Sequence, residues 1–171
     1  MQLEEGFWMR WSDDYGSSFA GGRVVIPVRR TEVDRTNCWG GATIGAFSCD
    51  KPQVIDGRVF FAFQKTPDGN GESYGSEVFL MRSADLVELA SGGRMAEATW
   101  ETLPRGEKGL QTERGLRLGE EPHLVQVSWD LLLARSLVLA SSASGGLSWD
   151  FWTAGTAATT GRHGAKRRFS P

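Results

Sequence analysis

Three apolar runs end in serine, and at least two of them open onto the same turn. They are Phe7-Trp-Met-Arg-Trp-Ser12, Val78-Phe-Leu-Met-Arg-Ser83 and Leu137-Val-Leu-Ala-Ser-Ser142. After the first comes Ser12-Asp-Asp14-Tyr-Gly16-Ser-Ser18-Phe19, a Ser-x-Asp-x-Gly-x-Ser-aromatic box. After the third comes Ser142-Ala-Ser144-Gly-Gly146-Leu-Ser148-Trp149, with Ser where the first has Asp. The second keeps Ser83-Ala-Asp85 and then continues Leu86-Val-Glu-Leu. The serines lie 71 and 59 residues apart (83 − 12 and 142 − 83). In such a box the carboxylate and hydroxyls accept hydrogen bonds from turn amides and the Gly takes a positive φ, while the aromatic is expected to enter the core. Ser12, Asp14, Gly16, Phe19, Ser142, Gly146 and Trp149 are therefore structural box residues. Asp13 and Asp14, side by side in the turn, read as turn formers and not as an acid–base pair.

A second element repeats in phase. Lys51-Pro-Gln-Val-Ile-Asp56-Gly57-Arg-Val-Phe-Phe-Ala-Phe63 reads as strand, tight turn and strand, because Asp-Gly supplies the positive φ a two-residue hairpin needs. Glu121-Pro-His-Leu-Val-Gln-Val-Ser-Trp-Asp-Leu-Leu-Leu-Ala134 has the same order, with Ser-Trp-Asp at the turn. Each unit then runs strand, turn, strand, loop, strand, box, strand. Four antiparallel strands per repeat is the grammar of a propeller blade. The expectation is an all-β chain of roughly three four-stranded blades. Rings close with about 4–8 blades, so three make an incomplete propeller, with remaining blades supplied by a longer chain.

Between these elements, Thr66-Pro-Asp-Gly-Asn-Gly-Glu-Ser-Tyr-Gly75 is a Gly-rich insertion, and Leu86 to Thr102, with Glu and Ala at Met95-Ala-Glu-Ala, is expected to hold one or two helical turns. Trp100 is expected to start a strand, and Leu103 to Leu110 to turn. From Thr153 the composition shifts to Ala, Thr and Gly and ends in the basic Lys166-Arg167-Arg168. The division is a propeller segment over 1–152 and a low-complexity basic tail over 153–171.

Composition excludes several classes. Nineteen basic against 21 acidic residues give a net charge of −2, which is not the basic surface that binds nucleic acid by counterion release. Two Cys and two His are too few for a Cys/His zinc site, so no metal is expected. No apolar run reaches the roughly 20 residues of a membrane span. No phosphate loop or nucleotide fingerprint occurs, so no cofactor is expected. The opening Met-Gln-Leu-Glu-Glu is acidic where a secretory signal is basic and then apolar, which leaves the compartment open. Cys38 and Cys49 are expected as partly buried thiols. Fifteen Arg against four Lys suit carboxylate or phosphate recognition, although a compositional bias explains most of them.

The boxes, the Arg29-Arg-Thr-Glu-Val-Asp-Arg35 segment, and the strand starts Asp50-Lys51-Pro52 and Glu120-Glu121-Pro122 resemble the Asp-box (BNR-repeat) sialidase superfamily. The likeness spans residues 7 to about 152. It implies an exo-sialidase acting on terminal sialic or related acidic sugars: an arginine triad grips the sugar carboxylate, an Asp is the acid/base and a Glu-activated Tyr is the nucleophile. Carried onto this chain, Asp34 takes the acid/base role and Glu121 a catalytic place on the cleft floor. Arg30, Arg35, Lys51, Lys65 and Arg135 are the substrate-binding candidates. For Asp34 the alternative is a solvated turn carboxylate, and for Arg135 an ion pair with Glu120 or Glu121 at a blade edge. The Arg-Ile-Pro string that places the family's first arginine is absent; Val25-Ile26-Pro27-Val28-Arg29-Arg30 follows the first box instead. Tyr15 sits inside a box and Tyr74 in the insertion.

Gly71-Glu-Ser73-Tyr-Gly75 matches the hydrolase elbow Gly-x-Ser-x-Gly, with His123 as a formal base, but a strand follows where the elbow needs a helix. Trp8, Trp11 and Trp39 suit either sugar stacking or the core, and the core is favoured. Three functions follow: a sialidase-like hydrolase, a non-catalytic propeller module that binds glycan or protein, and an incomplete gene product without activity.

Overall fold

The computed structural model describes residues 2–3, 5–68, 75–110, 120–128, 135–142, 149–153 and 166–167. The order is β1 (Gln2–Leu3), β2 (Gly6–Trp11), β3 (Ala20–Pro27), α1 (Glu32–Arg35), β4 (Ile44–Phe47), β5 (Gln53–Ile55), β6 (Arg58–Lys65) and β7 (Glu77–Ser83). Then come α2 (Leu86–Ser91), a 3-10 turn (Met95–Glu97), β8 (Glu101–Leu103), β9 (Glu120–Ser128), β10 (Arg135–Ser142), β11 (Trp149–Thr153) and β12 (Lys166–Arg167). The chain is all-β in class, and among the described residues every strand pair is antiparallel. The strands form a two-stranded ribbon β2–β3, a six-stranded sheet β1-β4-β6-β7-β8 with β5 also on β6, and a four-stranded sheet β12-β11-β10-β9.

The six-stranded sheet lies between the other two. Along β6 and β7 successive side chains alternate between faces, and both faces are covered, which is why these strands read as continuous apolar runs. One face sends Ala62, Val78 and Leu80 into a cluster with Ile55, Leu103 and Leu124 of β9. The other sends Phe61, Phe63, Phe79 and Met81 into a cluster with Ile26 and Val28, against which Phe7 and Met9 of β2 pack. Phe7 meets Phe61 and Phe63 edge-on, at 5.6 and 5.4 Å between ring centroids, a geometry aromatic quadrupoles favour.

Strands β4 and β5 share one edge of β6. Phe47 pairs with Gln64 and Gln53 with Phe60, so the two are one strand broken by the bend at 48–52. Side chains replace the ladder there: Ser48 Oγ donates to Ala62 O at 2.6 Å and Ala62 N donates to Asp50 Oδ2 at 3.0 Å. The expected Asp-Gly hairpin joins β5 to β6, with φ of 48° at Asp56 and 74° at Gly57, the two left-handed positions of a type I′ turn.

The first box folds as a hydrogen-bonded knot. Ser12 Oγ accepts from Gly16 N at 2.7 Å and donates to Asp14 Oδ1 at 2.6 Å. Ser18 gives its N–H to Asp14 Oδ1 at 2.8 Å and its hydroxyl to Oδ2 at 2.7 Å. The Ser12 hydroxyl, then the Ser18 amide and hydroxyl, lower the Asp14 pKa from 3.8 to about 2. A depressed carboxyl contributes its stability above the unfolded value and loses it as pH falls through the folded one. Acid titration followed by carboxyl NMR is therefore expected to give an Asp14 midpoint of about 2, with Gly16 and Ser18 amide exchange quickening between pH 3.8 and 2. A Ser12→Ala midpoint no higher than that of the wild type would contradict the assignment.

The second box is complete in space. Ser83 Oγ donates to Asp85 Oδ1 at 2.9 Å, and Thr99 gives its N–H to Oδ1 at 3.0 Å and its hydroxyl to Oδ2 at 2.6 Å. Thr99 thus does for Asp85 what Ser18 does for Asp14, and Trp100 follows it as Phe19 follows Ser18. Helix α2 and the 3-10 turn are inserted between the halves. The register agrees: the residue before each serine faces the residue after each aromatic, Trp11 with Ala20, Arg82 with Glu101 and Ser141 with Asp150. All three hairpins are closed by the same register.

Several expectations are corrected. Phe19 does not enter the core: it is 51% exposed, with the Arg10 guanidinium 5.3 Å above its ring, because the ribbon carries the box beyond the buried strands. Trp8 is exposed under the Arg23 guanidinium, since Phe7 and Met9 take the inward positions of β2. Strand β8 starts at Glu101, one residue after Trp100. Strand β9 runs to Ser128 and pairs with β10, and the rest of the expected Ser-Trp-Asp turn, with the strand expected up to Ala134, lies outside the described residues. Cys38 and Cys49 form no disulfide, and both are exposed, not partly buried. The 69–74 part of the insertion, with Ser73 and Tyr74, lies outside the described residues, as does Gly146.

Candidate functional site

The antiparallel order carries β3, β6 and β8 to one end of the structure, opposite the first two boxes. The loops 28–43 and 104–110 meet there. In the first, Thr31 precedes α1 and Asp34 turns back onto it: Asp34 Oδ2 accepts from Thr31 N at 2.7 Å and Thr31 Oγ1 at 3.0 Å, the reach-back of a capping box. Lys65, the next same-face position after Phe61 and Phe63, ends β6 directly beneath. Its Nζ donates to Asp34 Oδ2 and Arg29 O, each at 2.5 Å, and to Thr31 Oγ1 at 3.1 Å. Asp34 is 1% and Lys65 0% exposed. Burial pushes the Lys65 pKa below its ordinary value, against the opposing pull of the Asp34 carboxylate. Asp34 is thus a buried, ion-paired carboxylate and not a solvated one.

Arginines tie the second loop to the first. Arg29 donates to Pro104 O and Gly106 O, both at 2.6 Å, and Arg35 pairs with Glu107 at 2.5 Å. The Arg35 hydrogen bond holds the Glu107 carboxyl below its usual range. Arg30 bonds the carbonyls of Gly41 and Ala42. Arg30 and Arg35 remain exposed. Gly109 N donates to Glu77 Oε2 at 2.8 Å, and a Cβ at Gly109 would stand 2.6 Å from Val78 O, so the loop needs glycine there.

The structure brings Asp34, Arg30, Arg35 and Lys65 to this one loop end. Lys51 is exposed in the 48–52 bend. Glu121 stands second in β9, whereas Arg135 pairs with Ser128 at the other end of that strand. Seven residues of strand, about 23 Å, separate the two main-chain positions. Ser142 and Trp149 face each other across the β10–β11 ladder. Among the described residues, no group of three or more His, Cys, Asp or Glu could hold a metal ion, and no helix is long and apolar enough to cross a membrane.

Two contributors escape a sequence reading, and Lys65, read as a substrate-binding candidate, is instead fully buried against Asp34. Glu107 sits in a plain turn. Asp50, whose Oδ2 also accepts from Leu124 N at 3.1 Å, joins β6 to β9. Only Thr31-x-x-Asp34 carried a local signal, the spacing of a capping box. A separate cleft of about 300 Å³ lies between β2 and the six-stranded sheet, lined by apolar side chains with Arg10, Ser48 and Asp50. No protein-family model, curated protein or solved structure matches this chain.

Proposed function

We propose that the chain is part of an Asp-box propeller of the sialidase type, with roughly three blades. Its activity is that of a sialidase-like glycoside hydrolase on terminal sialic or related acidic sugars. The shared box register of the three hairpins carries this reading, because it extends the repeat that the resemblance rests on to the box that α2 interrupts. Arg30 and Arg35 lie on the loop that holds Asp34 and face solvent, where guanidinium forks suit a sugar carboxylate. Asp34 is assigned the acid/base role, with one oxygen anchored by Thr31 and Lys65. Tyr15 lies in the first box, at the opposite end from this loop, and Tyr74 lies outside the described residues.

A second reading is favoured by the 1% exposure of Asp34: a non-catalytic module that binds the glycan through Arg30 and Arg35. Hydrolysis of a fluorogenic sialoside separates the two. A hydrolase is expected to turn it over, with kcat falling at least about 10²-fold in Asp34→Asn, assayed below the lowered melting temperature that loss of the Lys65 pair implies. Absence of turnover with saturable calorimetric binding that Arg30→Ala removes identifies the binding module. A flat titration without turnover rejects both.

A further inference from the structure

We propose that Lys65 and Asp34 condense, without another enzyme or a cofactor, to an isopeptide bond that ties the end of β6 to α1, with Glu77 carrying the proton. The proposal rests on the buried cluster and not on the glycosidase reading. It sides with the binding-only reading, because a condensed Asp34 has no acid to donate.

Lys65 Nζ and Asp34 Oδ2 lie 2.5 Å apart. The carboxyl carbon, one covalent bond farther, approaches the roughly 3–3.5 Å of a near-attack arrangement. Both groups are shut from water: Lys65 is 0% and Asp34 1% exposed, and the Phe79 ring lies 5.1 Å from Nζ. Such surroundings disfavour a separated pair of charges and keep out water that would return the bond to its acid and amine. Burial lowers the Lys65 pKa and brings the free amine within reach; the Arg29 charge adds to that push, while Asp34 and Glu77 oppose it.

A second buried acid faces the pair. Glu77, 2% exposed, stands directly opposite Lys65 in the β6–β7 register, and cross-strand partners share a face. Its Oε2 is fixed by Gly109 N at 2.8 Å. In the reaction Nζ attacks the Asp34 carboxyl carbon, and the bond from that carbon to Oδ1 breaks. Of the three ammonium protons one stays on the amide nitrogen. The other two reach Oδ1 by way of Glu77, so the oxygen leaves as water. Atoms and charge balance, and no oxidant or co-reactant enters.

The surroundings also fit the product. Asp34 Oδ2, which becomes the amide oxygen, already accepts from Thr31 N at 2.7 Å and Thr31 Oγ1 at 3.0 Å. The amide N–H keeps an acceptor in Arg29 O, which lies 2.5 Å from Nζ. Condensation thus removes two buried charges and leaves each polar atom of the new bond with a partner.

The full chain is expected to weigh less than its sequence by one water. Asp-Gly pairs such as Asp56-Gly57 also lose water on cyclising, so digestion locates the bond. Trypsin does not cut at a lysine in amide linkage, and the expected product is a branched peptide joining residues 31–35 to 59–82. Followed after cell-free synthesis, Glu77→Gln, which keeps an acceptor for Gly109 N, is expected to form the bond at least about 10²-fold more slowly. Equal rates overturn the role of Glu77. If Glu77→Gln does not fold, the wild-type digest decides alone. Separate 31–35 and 59–65 peptides from folded chain after prolonged incubation overturn the proposal. So does equal cross-linking of chain moved into urea straight after synthesis, where no fold brings the groups together. Sialoside turnover by fully cross-linked chain rejects Asp34 as the acid/base and leaves the bond standing, so the two readings fail separately.

Discussion

Replacing Lys65 by Ala is expected to destabilise the protein by about 3–5 kcal/mol, because removing one partner of a buried ion pair strands the other charge. Lys65 is fully buried, and its ammonium joins Asp34, Thr31 and the Arg29 carbonyl. Without it, Asp34 keeps the Thr31 donors but loses its cation. Domains of this kind have about 5–15 kcal/mol in all, so the urea midpoint should fall steeply. Lys65→Met keeps the stem over Phe79, whose ring lies 5.1 Å from Nζ, and isolates the charge effect from the packing effect. The double variant Lys65→Met/Asp34→Asn should recover much of the loss, since no uncompensated charge remains. Single variants within about 1 kcal/mol of wild type would mean that the pair contributes little net stability.

The second large effect concerns Asp50, whose carboxylate is the joint between two sheets. Its Oδ2 accepts from Ala62 N of β6 and Leu124 N of β9, and Gln53 donates to the Leu124 carbonyl beside it. Hydrogen bonds to a charged group contribute about 1.5–3 kcal/mol each, so Asp50→Ala should cost about 2–4 kcal/mol once rearrangement is allowed for. The loss should also be directional. Exchange at the Leu124 amide should quicken by about tenfold or more, while amides in the middle of β6 and β7 stay protected. Uniform quickening across all sheets would show that Asp50 acts on global stability and not on the joint.

The strands were legible because β6 and β7 are buried on both faces and spell it in apolar residues, and because Asp56-Gly57 announces its turn chemically. The first box was equally legible, since its bonds are local. Its counterpart at Ser83 was only half visible: Thr99 is far along the chain, and nothing in Leu86 to Ala98 says that the chain returns. The site was read unevenly for the same reason. Asp34 stands out in the sequence, but as an acid/base or a solvated turn carboxylate; the Thr31-x-x-Asp34 cap spacing is local and readable, whereas Lys65, which reads as a substrate contact, reaches them from another sheet strand. Phe19 and Trp8 were misplaced because hydrophobicity indicates a preference for burial, and the ribbon has too few inward positions to accommodate both.

The insertion at the second box also bears on how this architecture tolerates change. Three residues join Asp14 to Ser18, whereas 13 join Asp85 to Thr99, yet the two carboxylates grip their partners in the same way. Closing the longer loop costs only about 1.3 kcal/mol more on a logarithmic length dependence, comparable to the contribution of one hydrogen bond. The clasp therefore works as a splice point, where foreign sequence enters without disturbing the strands on either side. The Gly16 turn of the first hairpin, exposed and bounded by the same clasp, is the corresponding place to graft a reporter or binding loop.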